Sequence, residues 1–299
     1  MNLRMLFLLG AMLAPVFSRG GEAAIRVLRD VPFLAPGRAE KLDVFLPAPP
    51  PAGKLSPAVV WIHGGGWTGG TKNEARAKEI CETLVNAGYV ALNVDYKLGD
   101  GAWPTNLHDC KNAVRFLRVH AAEWRVDPER IAVAGGSAGG HLALMVGYTA
   151  GVQELEPGAP YPGVSSSARA VIDMYGISDL RTRREIEPGG KVLASVRAPG
   201  PVAVFGPAES AAVYRLASPV THVSPATPPT LILHGDKDAT VDLKQSQDLA
   251  AALARAGVLH ELVVVPGAGH TFDWESWGKK PLSRDLRPVA LAFLGRHLK

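Results

Sequence analysis

The sequence predicts an α/β fold with a mostly parallel central sheet and helices on both faces. Short continuous apolar runs such as Ala58-Val-Val-Trp-Ile62 suit strands covered on both sides. Segments with apolar residues at helical spacing alternate with those runs along most of the chain, which is the rhythm of βαβ units. The 299 residues, 47% hydrophobic and 20% charged, provide one large core and exclude a disordered chain.

The elements follow in order. Lys41-Leu-Asp-Val-Phe-Leu46 alternates enough to be an early strand, and a Pro/Ala loop over 47–57 separates it from the strand Ala58–Ile62. Asn73 to Ala87 reads as a helix with Ala77, Ile80, Leu84 and Val85 on one side and Gly88 closing it. Tyr89–Val94 is a strand, and Leu107–His120 is a helix carrying Cys110, Ala113, Val114 and Leu117 at helical spacing. Arg130–Ala134 is a strand, Ala138–Tyr148 a helix, and Ala168–Tyr175 and Pro229–Leu233 two further strands. Leu243–Ala256 is a helix ended by Gly257, His260–Val265 the last strand, and Leu286–Leu298 a final amphipathic helix. From Ile177 to Pro219 the rhythm breaks for more than forty residues. A stretch that long between two strands reads as a cap insertion, with an ordinary surface excursion as the alternative.

The N-terminus stands apart. Arg4 precedes an apolar run from Met5 to Phe17, and Val16 and Ser18 are small enough for a cleavage site. That pattern predicts a secretory signal over residues 1–18, hence export to the periplasm or beyond, with a buried N-terminal helix as the alternative. The run is too short to span a bilayer, so no stable membrane insertion is expected. One domain then occupies residues 24–299. Cys81 and Cys110 lack metal-ligand spacing and are expected to be buried free thiols, although export would permit a disulfide. The net charge of +4 is mild and no basic run interleaves with aromatics, so nucleic acid is not an expected partner.

Three motifs carry chemistry. Gly135-Gly-Ser-Ala-Gly139 fits G-x-S-x-G, directly follows a predicted strand and opens a predicted helix. This is the setting of a nucleophile elbow, where small neighbours let strand and helix approach around a strained serine. A dinucleotide fingerprint would need glycine where Ser137 stands. A serine needs a base oriented by an acid. Carboxylates follow one strand in His234-Gly-Asp-Lys-Asp238, and His270 follows the next in Pro266-Gly-Ala-Gly-His270. The chain order Ser137, Asp238, His270 is that of an α/β-hydrolase triad. Asp236 and Asp242 compete for the acid, but Asp236 lies in the turn leaving the strand and Asp242 sits where a helix cap belongs, so Asp238 is favoured. Apart from His63, the remaining histidines are expected to be ordinary surface or loop residues. His63-Gly-Gly-Gly-Trp67 follows the strand Ala58–Ile62, and its bare backbone offers N–H donors for an oxyanion, completed by the N–H of Ala138. A phosphate-cradling loop would require a following Gly-Lys-Ser/Thr, which is absent. His63 itself is expected to hold the loop.

Taken together, His63-Gly-Gly-Gly-Trp67, Gly135-Gly-Ser-Ala-Gly-Gly-His141, His234-Gly-Asp-Lys-Asp238 and Gly269-His270 resemble the hormone-sensitive-lipase-like esterases. The likeness is to the HGGxW branch that includes acetyl, acetyl-xylan and feruloyl esterases. Asp95-Tyr-Lys-Leu98, Trp103-Pro104 with Asp109, and Ala217-Ser-Pro-Val-Thr-His-Val-Ser224 extend it over roughly residues 40 to 297. The resemblance implies an α/β-hydrolase fold with a small cap over 177–219. It assigns Ser137 as nucleophile, Asp238 as acid, His270 as base, and Gly65, Gly66 and Ala138 as oxyanion donors. Ala239 stands where the family has proline, and the stretch from Ile177 to Phe205 resembles no assignable cap.

The implied chemistry is acyl transfer without a metal or organic cofactor. The substrate would be a small-molecule or polysaccharide ester, acetyl or feruloyl. Trp67, Phe272, Trp274 and Trp277 could stack on a sugar ring or an aromatic acid, with Trp67 taken as the substrate contact, or could wall the pocket or pack against the cap. An arylformamidase-like amide hydrolase shares the HGGxW loop and is the rival enzyme. A catalytically silent hydrolase fold used for binding is the rival from another class.

Overall fold

The computed structural model describes residues 25–186, 192–197, 202–206 and 211–298. The expected signal over residues 1–18 lies outside them, as do 187–191, 198–201 and 207–210 of the expected cap. The strands are β1 (Arg26–Val31), β2 (Leu42–Leu46), β3 (Ser56–Ile62), β4 (Val90–Val94), β5 (Val126–Gly136), β6 (Ala170–Met174), β7 (Arg184–Ile186), β8 (Val192–Arg197), β9 (Thr230–Gly235), β10 (His260–Val265), β11 (Ser276–Trp277) and β12 (Lys280–Pro281). The helices are α1 (Ala75–Asn86), α2 (Thr105–Val119), α3 (Ala138–Tyr148), α4 (Val202–Phe205), α5 (Ala211–Leu216), α6 (Lys244–Arg255) and α7 (Arg287–Leu298).

Eight strands form one sheet in the order β1-β2-β4-β3-β5-β6-β9-β10. β1 and β2 run antiparallel to their neighbours, and from β4 to β10 every pairing is parallel. The apolar runs are strands because each buries both faces, and alternate side chains sort into two cores. Val60 and Ile62 of β3 join Leu107, Leu142 and Leu249 from α2, α3 and α6. Val59 and Trp61 join Ile80, Phe293 and Leu294 from α1 and α7. Cys81 and Cys110 are free, buried and in opposite cores, so the sheet separates them. Helices α1 and α6 both stop where expected. Tyr89 N–H donates to Leu84 O at 3.0 Å and Val258 N–H to Leu253 O at 2.9 Å, each across a glycine at positive φ.

In the main sheet two strands differ from the sequence expectation, and outside it the short pair β11 and β12 is additional. β1 has no counterpart in the apolar pattern, because an edge strand with a half-exposed burial pattern leaves no apolar run. β5 runs on through both glycines of the elbow, since Gly135 pairs with Ile62 and Gly136 with Met174. In the segment expected to be a cap, the described residues comprise the antiparallel pair β7 and β8 and the short helices α4 and α5. Among the described residues no helix is long and apolar enough to cross a membrane.

Candidate active site

The chemistry-bearing residues gather where the parallel strands end, at the carboxyl edge that open α/β sheets use for ligands. Ser137 is the single residue between β5 and α3, with φ 57° and ψ −121°. That conformation is costly for a residue with a side chain and is imposed by both ends. Ser137 N–H donates to Met174 O at 2.8 Å, and Ser137 O accepts from His141 N–H at 3.0 Å. Helix and strand approach so closely that a Cβ on Gly139 would collide with the carbonyls of Ile62 and His63.

His270 follows β10 and places Nε2 2.9 Å from Ser137 Oγ. Its Nδ1 lies 2.6 Å from Asp238 Oδ2, on the loop after β9. A carboxylate only accepts, so Nδ1 carries the hydrogen and Nε2 is free to take one from the serine. The structure therefore brings Ser137, His270 and Asp238 together in one hydrogen-bonded line. The Asp238 side chain is fully buried, while the His270 ring keeps 12% of its surface in contact with solvent. Burial alone would raise the Asp238 carboxyl, but the adjacent imidazoles of His234 and His270 outweigh it and hold the group well below the usual carboxylate range. The competing carboxylates do other work. Asp236 accepts from Gly267 N–H at 2.7 Å, joining the two loops, and Asp242 accepts from Lys244 N–H at 2.9 Å at the start of α6.

The glycine loop after β3 runs beside the elbow. Gly65 and Gly66 are exposed, and among the described residues no hydrogen bond engages their N–H groups. Ala138 is the first residue of α3, so its N–H has no carbonyl one turn back to meet. His63 holds the loop: it is buried, donates from Nδ1 to Gly64 O at 2.6 Å and stacks on Tyr96 at 4.4 Å, while the Tyr96 hydroxyl donates to His63 O at 3.0 Å.

For Trp67 the expectation of substrate contact is corrected in favour of its alternative, packing against the cap: Trp67 is only 2% exposed and its indole N–H donates to His141 Nδ1 at 3.2 Å. Phe205 of α4 packs edge-on against it at 5.1 Å. Trp67 therefore anchors the glycine loop against α3 and α4 and offers no open face. Phe272 and Trp274 are likewise buried. Trp277 is the exposed ring, at 39%, and its indole N–H donates to the carbonyl of His270 at 2.9 Å.

Two histidines expected at the surface are fully buried. His141 accepts from Trp67 at Nδ1, so its Nε2–H donates to Ala217 O at 2.7 Å, and burial pushes its pKa down to about 4. It fastens α3 to the chain leaving α5. His234 lies within 3.3 Å of Asp238 Oδ2. The signal for both was their placement, one in the first turn after the elbow and one inside a buried strand. Tyr175 carries no sequence signal of its place. Its hydroxyl donates to Phe272 O at 2.6 Å and its ring stands edge-to-face with His270 at 4.9 Å, bracing the loop that carries His270.

Known proteins resemble the chain over most of its length. The profile of the BD-FAE family matches residues 42–253. Esterase LipQ of Mycobacterium tuberculosis is 29% identical over 246 residues, which is 82% of this chain; the chain spans 57% of the length of that relative. A truncated carbohydrate esterase from gut microbiota superposes with a TM-score of 0.75 at 26% identity, covering 91% of this chain and 96% of that one. An acetyl ester-xyloside bifunctional hydrolase from Caldicellulosiruptor lactoaceticus gives a TM-score of 0.64 at 26% identity, covering 81% and 84%. The chain belongs to the BD-FAE family, among the hormone-sensitive-lipase-like α/β-hydrolases.

Proposed function

We propose that the protein is a serine carboxylesterase acting on short-chain or carbohydrate-linked esters through an acyl-enzyme. The observation that carries the reading is the line of hydrogen bonds from Ser137 Oγ through His270 to Asp238, at 2.9 and 2.6 Å, in a family with named esterases among its relatives. In this mechanism Ser137 Oγ attacks the ester carbonyl as His270 Nε2 takes its proton. Asp238 stabilises the imidazolium, and the N–H groups of Gly65, Gly66 and Ala138 receive the negative oxygen. His270 then returns the proton to the departing alcohol, and water repeats the sequence on the acyl-enzyme. Each oxyanion donor is worth about 3 kcal/mol to the barrier, roughly a hundredfold in rate.

Carbohydrate-linked esters are favoured by the exposed Trp277 ring fixed to the backbone of the base, since an aromatic face suits the apolar face of a sugar. The similarity to a carbohydrate esterase and an acetyl ester-xyloside hydrolase supports the same class. The apolar run from Met5 to Phe17 supports export, where such polymers are met.

The test is hydrolysis of p-nitrophenyl esters from acetate to palmitate, methyl ferulate and acetylated xylan by the wild type and Ser137→Ala. The reading predicts turnover greatest on acetate, falling with chain length and lost in the variant. Folded wild-type protein that turns over none of these esters would refute it.

A further inference from the structure

Asp238 is held by a second imidazole besides the base. His234 Nε2 lies 3.3 Å from Asp238 Oδ2, the oxygen already bonded to His270, and 3.0 Å from the carbonyl of Val241. A carbonyl only accepts, so His234 Nε2 carries the hydrogen and donates it to Val241 O, with Asp238 Oδ2 close beside that N–H. Nδ1 of the neutral ring then accepts from the Ser246 hydroxyl at 2.7 Å. The other carboxylate oxygen, Oδ1, accepts from the N–H groups of Thr240 and Val241 at 2.8 and 2.9 Å.

We infer that His234 is a positioning residue for Asp238, with the Val241 carbonyl fixing its tautomer and Ser246 of α6 holding the other ring nitrogen. The inference rests on the proposed reading of Asp238 as the acid of the triad. Three donors, His270 Nδ1 and the N–H groups of Thr240 and Val241, with the polar edge of His234 beside Oδ2 and holding the Val241 carbonyl, leave the carboxylate one orientation, with Oδ2 aimed at His270 Nδ1. The His234 N–H also draws charge from Oδ2 and so weakens its hold on a protonated His270. The groups that face His234 are Asp238 on the loop after its own strand β9, Ser246 on α6 and, from the neighbouring strand β6, the fully buried Asp173, whose charge it favours. His270 acts on it through Asp238.

The experiment compares His234→Ala, His234→Gln and Ser246→Ala on p-nitrophenyl acetate between about pH 5 and 9, with Tm recorded for each. His234→Ala is expected to lower kcat about tenfold, the scale of one hydrogen bond to a charged group, with KM within about twofold. The acid limb of kcat/KM moves to higher pH, because an undamped Asp238 holds the imidazolium more firmly. Gln restores most of kcat because its amide N–H can reach Oδ2. Ser246→Ala gives a smaller change of the same sign and keeps the test open if His234→Ala does not fold. An Asp173→Asn background removes the one other carboxyl named above from the profile.

An acid limb that stays in place with kcat unchanged overturns the inference. So does a Gln variant no better than Ala with Tm lowered in both, which would make His234 a packing residue. Asp238→Asn separates the two levels: its loss of activity beside a silent His234 removes only this inference. Full activity in Asp238→Asn removes the underlying reading as well.

Discussion

A methyl group on Gly64 would lie 3.3 Å from Ser137 Cβ and 2.9 Å from the carbonyl oxygen of Gly136. The glycine loop is therefore in direct contact with the elbow, and its distance from the serine is set by the absence of a side chain at Gly64. Gly64→Ala must push the loop away or displace the elbow. The loop is half open to solvent there, so it can yield without unfolding the core. We expect kcat on p-nitrophenyl acetate to fall about a hundredfold, the loss of one oxyanion donor, with Tm changed by a few degrees at most.

Gly139 contrasts with Gly64. Its added methyl would meet the carbonyls of Ile62 and His63, which belong to a central strand and the start of the loop and have no room to move. Gly139→Ala should cost the fold itself, by about 1–3 kcal/mol or more, as overpacking of a rigid interior does. Thermal melts and soluble yield check this, with Gly295→Ala on α7, where a methyl meets open space, as the control.

Trp277 and Trp67 should separate binding from structure. Trp277→Ala removes an exposed ring and is expected to raise KM on acetylated xylo-oligosaccharides about tenfold, about 1.4 kcal/mol, while leaving p-nitrophenyl acetate within twofold. Trp277→Phe keeps a ring but loses the bond to His270 O, and should retain most of the affinity. Trp67→Ala instead empties a buried site and should lower stability by about 3–5 kcal/mol, with activity on every ester lost together. Steady-state kinetics on the two substrate types, with Tm, distinguish the patterns.

Two buried carboxyls act on stability in opposite pH windows. Burial pushes Asp173 up to about 7, against the Gly176 N–H bond and His234, which favour its charge. Between the ordinary carboxylate value of about 4 and that pKa, the folded state keeps a proton that the unfolded chain has lost. Its contribution therefore worsens as pH rises through this window. Asp238 is depressed, so its contribution is present above about 4 and lost only as pH falls below that. Asp173→Asn keeps the acceptor for Gly176 and removes the ionisation. The variant should lose the fall in Tm between pH 5 and 7 and melt above the wild type at pH 8. A parallel pair of Tm curves would contradict this.

Much of this was legible in the sequence because buried parallel strands and their helices write continuous apolar runs and helical periodicity. The strand ends were legible too, so Ser137, Asp238 and His270 could be singled out and are found side by side. What stayed hidden depends on facing partners. Trp67 stands beside the glycines in sequence, but Phe205, more than a hundred residues later, closes over its ring. His234 and His141 look like any histidine until Ser246 and Ala217 are seen against them. The edge strand β1 buries too little to leave a pattern.

The most direct test of the central claim is covalent. The account predicts that a fluorophosphonate adds once to the folded protein, that peptide mass mapping finds the adduct on Ser137, and that ester turnover falls in proportion to labelling. Turnover that persists after Ser137 is fully labelled, or an adduct on another residue, would contradict it.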